Sequence, residues 1–241
     1  MRQGKFGVRH SLKTAWQVAA FIALMALPAS AGELRDSLDA SLSAGDTQKI
    51  LMLIQEHKVP ADQVEITSWV KEKVDSGQAP DQLAIYMIFA SRRGKDHDTA
   101  LSSALMYLNY YQALIFLDSM ICSDQSSGEA FLLRTMVLFR KLVNDKDLTI
   151  DQKRQAVDTA MELEEETFPF RKKNPSLCIA GMTEYAKELH IDLDPKPQSS
   201  TTPSSTTGLY VDDQIWRQKR IEALSTMKDL LLTLNGVQAG Q

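Results

Sequence analysis

The chain has 241 residues, enough for one medium domain or one domain with an appendage. It carries 27 basic and 31 acidic residues, a net charge of −4; an acidic surface repels phosphate backbones, so nucleic acid is disfavoured as a partner. Aromatic content of 7% and eleven glycines argue against an all-β protein, while abundant Ala, Leu, Gln, Glu, Lys and Met favour helix.

The chain opens with Arg2, Lys5, Arg9 and Lys13 and no acidic residue. A charge-free apolar run follows over 15–27, then Pro28 and the small residues Ala29, Ser30 and Ala31. This order of basic, apolar and small segments predicts a cleavable secretory signal peptide, cut between Ala31 and Gly32. The apolar run is too short for a membrane anchor, which needs about 20 apolar residues. No Cys follows the cut and Arg2 and Arg9 are not adjacent, so neither a lipoprotein nor a twin-arginine signal is indicated. Residues 32–241 keep 23 basic against 31 acidic residues, a net charge of −8. The expected location is periplasmic or secreted, with no stable membrane insertion once the signal is removed.

Helix start and stop signals then recur, and strand signals are nearly absent. A first amphipathic helix over 33–43 carries Leu34, Leu38 and Leu42 and ends at Gly45. Asp46 or Thr47 caps a second, with Ile50, Leu51, Leu53 and Ile54, that stops before Pro60. A third places Val64, Ile66, Trp69, Val70 and Val74 at helical spacing and ends at Gly77. Pro80 suits the first position of a fourth, which carries Leu83, Ile85, Tyr86, Ile88 and Phe89 up to Gly94.

Residues 99–117 contain no charged side chain. Ser102, Ser103, Asn109, Gln112 and three tyrosines argue against a membrane span, so the expectation is a helix buried on most sides. Ser126 with Glu129, and Thr149 with Gln152, read as capping boxes opening two further helices. A Pro-containing irregular stretch is expected over 168–176 and a short helix over 182–189. Residues 194–208 mix Pro, Ser and Thr without a large apolar residue over 195–208, the composition of a linker. A last helix over 211–234, opening with Asp212 and Asp213, places Ile221, Leu224, Met227, Leu231 and Leu234 on one stripe. Arg217, Arg220, Glu222, Ser225 and Lys228 are expected near its water-facing side.

The predicted fold is all-α, built of antiparallel helical hairpins as an irregular bundle or a short tetratricopeptide-like solenoid, plus a linker-tethered C-terminal helix. Spacings between similar helix pairs drift, and no repeat consensus is met. The organisation expected is a signal peptide (1–31), a helical domain (32–193), a linker (194–208) and a C-terminal amphipathic helix (209–241).

The chain has two cysteines, and in an oxidising compartment Cys122 and Cys178 form a disulfide candidate. The bridge would close a loop of about 57 residues, worth up to ~4 kcal/mol as a structural staple. No local motif for nucleotide, nicotinamide, zinc-protease or common serine-hydrolase chemistry occurs, so no cofactor, metal or catalytic residue is assigned. His57 and His190 fall near predicted helix C-termini, where the dipole favours a partly positive imidazole. Asp96, His97 and Asp98 read as a helix cap rather than a metal site. Glu162, Glu164, Glu165 and Glu166 could supply paired carboxylates for glycoside cleavage, although a solvated helix end is the expectation. The stretch Phe168, Pro169, Phe170, Arg171, Lys172 and Lys173 could dock a partner or form a packed loop with a solvated basic tip. Tyr107 and Tyr111 share a helix face, which would suit a peptide or glycan groove, or a core position with peripheral hydroxyls.

The functional expectation is an exported, periplasmic, non-enzymatic interaction or scaffold protein of the bacterial envelope. Its partner would be another envelope protein, or a second copy, engaged through the C-terminal helix. Docking candidates are Ile221, Leu224, Met227, Leu231, Leu234, Tyr107 and Tyr111. The alternatives are a hydrolase of envelope polymers with a non-local carboxylate site, and a carrier of a small apolar ligand.

Overall fold

A computed structural model describes residues 29–79, 81–94, 96–122, 126–171, 177–178 and 211–237. The protein is all-α, with no β-strand among the described residues. Its helices are α1 (Ala29–Ser43), α2 (Thr47–Glu56), α3 (Pro60–Asp75), α4 (Asp81–Ser91), α5 (His97–Ser119), α6 (Ser126–Val143), α7 (Ile150–Thr167) and α8 (Asp213–Leu234), with a 3₁₀ turn at Phe168–Phe170. The predicted signal peptide lies outside the described residues, apart from the backbone of 29–31, which opens α1. Pro80, the side chains of Ser126 and Glu129, the 182–189 helix, His190 and the 194–208 linker also lie outside them.

Local chemistry accounts for the helix ends. The Asp46 carboxylate accepts from the Lys49 N–H at 2.9 Å and caps α2. At the start of α7, the Gln152 N–H donates to the Thr149 hydroxyl at 3.2 Å, and the Thr149 N–H donates to Gln152 Oε1 at 2.8 Å. This is the reciprocal capping box expected from the sequence. Asp212 caps α8 by accepting from the Gln214 N–H at 2.8 Å. Gly77 ends α3 at φ +70°, and a Cβ there would stand 2.5 Å from the Thr167 carbonyl oxygen, so both backbone angle and close approach require glycine.

The chain divides into two compact units, Met1–Trp69 and Val70–Gln241. The first unit buries Leu34, Leu38, Ile50, Ile54, Ile66 and Trp69. The Trp69 indole N–H satisfies itself on the Asp39 carboxylate at 3.0 Å.

The second unit is organised around α5, which packs against α4, α6, α7 and α8. Beyond its first turn, only Ser102, Ser103, Met106 and Phe116 of α5 keep partial exposure. The uncharged run is therefore the central helix of this unit's core, as its composition predicts. No described helix is long and apolar enough to cross a membrane. Ala113 and Leu117 of α5, Leu132 of α6, Val157 and Met161 of α7, and Met227 and Leu231 of α8 form one buried cluster.

The buried face of α8 is rotated from the expected stripe. Trp216, Arg220, Met227 and Leu231 are buried, Leu224 and Leu234 are half-buried, and Ile221 is 62% exposed. Trp216 and Arg220 claim the inward face of the first half of the helix, at steps of four, seven and four residues through Met227 and Leu231.

Candidate functional site

Two features of the second unit bring polar chemistry together. One is a closed ionic cluster where α5, α7, the 3₁₀ turn and α8 meet. The other is an open groove between α5 and α7.

In the cluster, Glu164 is fully buried and takes a guanidinium on each carboxylate oxygen. Arg171 Nη2 donates to Oε1 at 2.5 Å, and Arg220 Nη2 donates to Oε2. The same Arg171 nitrogen donates to Asp118 Oδ1 at 2.9 Å, and Arg171 Nη1 donates to the Thr167 hydroxyl at 3.0 Å. The Arg220 guanidinium lies over the Phe168 ring, 3.7 Å from its centroid, and Phe168 meets the Trp216 ring edge-on at 5.1 Å. Burial pushes the Asp118 carboxyl up to about 6, against the opposing pull of Arg171. The Tyr110 hydroxyl, paired with Thr167 Oγ1 at 3.2 Å, is raised by the same burial.

This arrangement corrects three expectations. Glu164 does not face water with the rest of its acidic run; it lies on the α7 face that also buries Ala156, Val157, Ala160 and Met161, while Glu162, Glu165 and Glu166 are exposed. Arg171 is not a solvated basic tip and Arg220 is not on the wet side of α8, because both are drawn inward to neutralise Glu164. The buried carboxylates Asp118 and Glu164 are brought together on Arg171. Each is occupied by cations, and neither lines the groove described next.

The groove exposes a side of α5 that the described residues leave open. One stretch, about 410 Å³, is lined by Asp98, Thr99, Ser102, Ser103, Met106, Gln152, Gln155, Ala156 and Thr159. A second, about 210 Å³, shares Met106 and Thr159 and continues past Tyr107, Glu162, Leu163 and Glu166 to Lys71 and Asp75. Residue numbers rise together along both walls, so α5 and α7 run in the same direction. The floor and the α7 wall are mostly neutral hydroxyl and amide side chains, and carboxylates stand at both ends.

No protein-family model, curated protein or solved structure matches this chain.

Tyr107 and Tyr111 are 3% and 6% exposed. The Tyr107 hydroxyl donates to Asp75 Oδ1 at 3.2 Å, and burial followed by the Asp75 charge pushes it up. Tyr111 is raised to about 12 by burial and Asp81. The two tyrosines do not form an open aromatic wall; Tyr107 contributes to the floor of the groove at its acidic end.

Cys122 and Cys178 are disulfide-bonded with a Cα–Cα distance of 5.1 Å, and both are buried. Next to this bond, the Val211 N–H donates to the Ile121 carbonyl at 2.7 Å, bringing the approach to α8 beside the end of α5. His57 is the C-cap residue of α2, with Nδ1 2.9 Å from Asp62 Oδ2. Asp96 stands at the N-cap of α5 and accepts the Thr99 hydroxyl proton, which holds its carboxyl below the ordinary range. Among the described residues no group of three His, Cys, Asp or Glu side chains could hold a metal ion. The residues missed in the sequence are Asp118, Trp216 and the groove set Ser102, Ser103, Met106, Gln155 and Thr159.

Proposed function

We propose that the chain is an exported, periplasmic, non-enzymatic helical protein that binds another protein of the bacterial envelope through the α5–α7 groove. The observation that carries this reading is the opening in the wall around α5. A helix otherwise enclosed presents Ser102, Ser103 and Met106 to solvent, opposite Gln152, Gln155 and Thr159. Neutral donors and acceptors interspersed with apolar surface suit recognition of a polypeptide segment. The buried carboxylates favour binding over hydrolysis, since Asp118 and Glu164 are committed to Arg171 and Arg220. The groove is open and lined by polar as well as apolar surface, unlike the closed apolar cavity an apolar-ligand carrier would use. A Cys122–Cys178 disulfide fits an oxidising compartment, in keeping with the signal-like N-terminus. The inward face of α8 is covered by its own core, so a partner meeting that helix would use the outward Ile215 and Ile221.

Co-purification from the native envelope tests the proposal. The wild type should retain a partner that Ser103→Trp/Gln155→Trp, which fills the groove from a half-buried and an exposed position, loses with its helical circular dichroism intact. Retention of the same partner by the filled variant would refute it.

A further inference from the structure

Resting on that reading, we infer that the groove takes an extended, cationic segment of the partner polypeptide, about six residues long. The argument begins with charge. The lining carboxylates are Asp98 at one end and Asp75, Glu162 and Glu166 at the other; Lys71 is the one basic side chain among the residues lining the two stretches. Lys71 is already paired with Asp75, whose second oxygen accepts from Tyr107. Lys228, which stands near Glu162, is held by Asp158 at 2.8 Å. Asp98, Glu162 and Glu166 are exposed; Asp98 stands 3.6 Å from His97 Nδ1, so the Glu162–Glu166 end carries the stronger attraction for a cation in solution.

Length and hydrogen bonding select the conformation. The lining residues run from Gln152 to Glu166 along α7, about 20 Å at 1.5 Å per residue. An extended chain covers that distance in about six residues. The middle of the groove offers Ser102, Ser103, Gln152, Gln155 and Thr159. Their hydroxyls and amides can pair with the free backbone N–H and C=O groups of an extended segment, whereas a helix consumes those groups internally. Basic side chains at the two ends of the segment would then meet Asp98 and the Glu162–Glu166 pair.

The test uses a fluorescent Lys-Ala-Lys-Ala-Lys-Ala peptide, its Glu-Ala counterpart and chitohexaose, with binding followed by anisotropy or competition. The lysine peptide should bind, weaken as salt rises, and compete with the co-purified partner; the glutamate peptide should not bind. Glu162→Lys/Glu166→Lys should weaken it about tenfold. Glu222→Lys/Asp229→Lys, which makes the same change in net charge on exposed α8 positions, should change it less than about twofold. Ser103→Trp/Gln155→Trp, with net charge unchanged, should abolish binding. Equal loss in the two charge-reversed variants would reduce the effect to bulk attraction and overturn the inference. Chitohexaose binding in place of the peptide would overturn it in favour of a glycan. If filling the groove releases the envelope partner while the lysine peptide neither binds nor competes, the cationic occupant is wrong and the binding reading stands; if filling it releases nothing, the binding reading itself falls.

Discussion

Arg220→Met should be among the most damaging single changes to this protein, although methionine fills similar space and is compatible with helix. Arg220 is 5% exposed and neutralises one oxygen of Glu164, which is fully buried. Without it, Arg171 alone must balance both Glu164 and Asp118. Removing one member of a buried ion pair costs about 3–5 kcal/mol, because the remaining charge is left uncompensated in low dielectric. At roughly 2–4 °C per kcal/mol for a protein of this size, the melting temperature should fall by about 6–20 °C. The cationic contact with Phe168 is lost as well, adding a smaller amount. Glu164→Gln in the same chain removes the stranded charge and leaves Arg171 with Asp118 at 2.9 Å. Arg220→Met/Glu164→Gln should therefore recover most of the loss, giving a coupling energy above about 2 kcal/mol in a double-mutant cycle. Urea unfolding of the four proteins with the disulfide intact measures it. A loss below about 1 kcal/mol for Arg220→Met, or additive effects of the two changes, would refute a buried cluster that binds α8 to the core.

Gly77→Ala should cost more than Gly45→Ala, by about 1–3 kcal/mol. Both residues have φ near +70°, but only at Gly77 does the added Cβ run into backbone, 2.5 Å from the Thr167 oxygen, so equal losses would contradict the close approach. The Asp118 carboxyl sits near 6 in the fold against 3.8 ordinarily, so the folded protein holds this proton more tightly than the unfolded chain does. Its stabilising contribution is complete below pH 3.8 and lost as pH rises through about 6, up to ~3 kcal/mol in all. Stability relative to Asp118→Asn should fall by that amount between pH 4 and pH 7; a flat difference would contradict the assignment. Intact mass of the exported protein should match a chain starting at Gly32 and lighter by two hydrogens for the Cys122–Cys178 bond; a retained Met1 or two titratable thiols would defeat the respective expectation.

Helix positions were legible in the sequence because their signals are local. Asp46, Thr149 with Gln152, Gly77 and Asp212 act within four residues of where they stand. The burial of α5 was legible for a different reason: a long helix without charge has no other stable place in water. The ionic cluster was hidden because charged residues are ordinarily solvated, and the pairs Asp118–Arg171 and Glu164–Arg220, 53 and 56 positions apart, leave no local trace. Yet Glu164 and Arg220 each sit at a buried helical position. Glu164 follows Ala160 and Met161 by four and three residues, and Arg220 follows Trp216 by four. Extending the apolar face of each helix through its charged position would have placed both inward. The α8 stripe was misplaced because Ile221 was given weight and Trp216 was not. The groove was not legible at all, since it is made by the spacing of α5 and α7 and lined by residues that are unremarkable one at a time. The division after Trp69 falls inside α3, where no Pro, Gly or polar run marks it.

The groove is tested most directly by a photoreactive residue placed at Gln155 in cells that make and export the protein. Gln155 lines the α7 wall. Val137, 78% exposed on α6, serves as the reference position off the groove. Irradiation should give one discrete adduct with an envelope protein from position 155 and none from position 137. No adduct at 155, or the same adduct from both positions, would contradict a binding surface between α5 and α7.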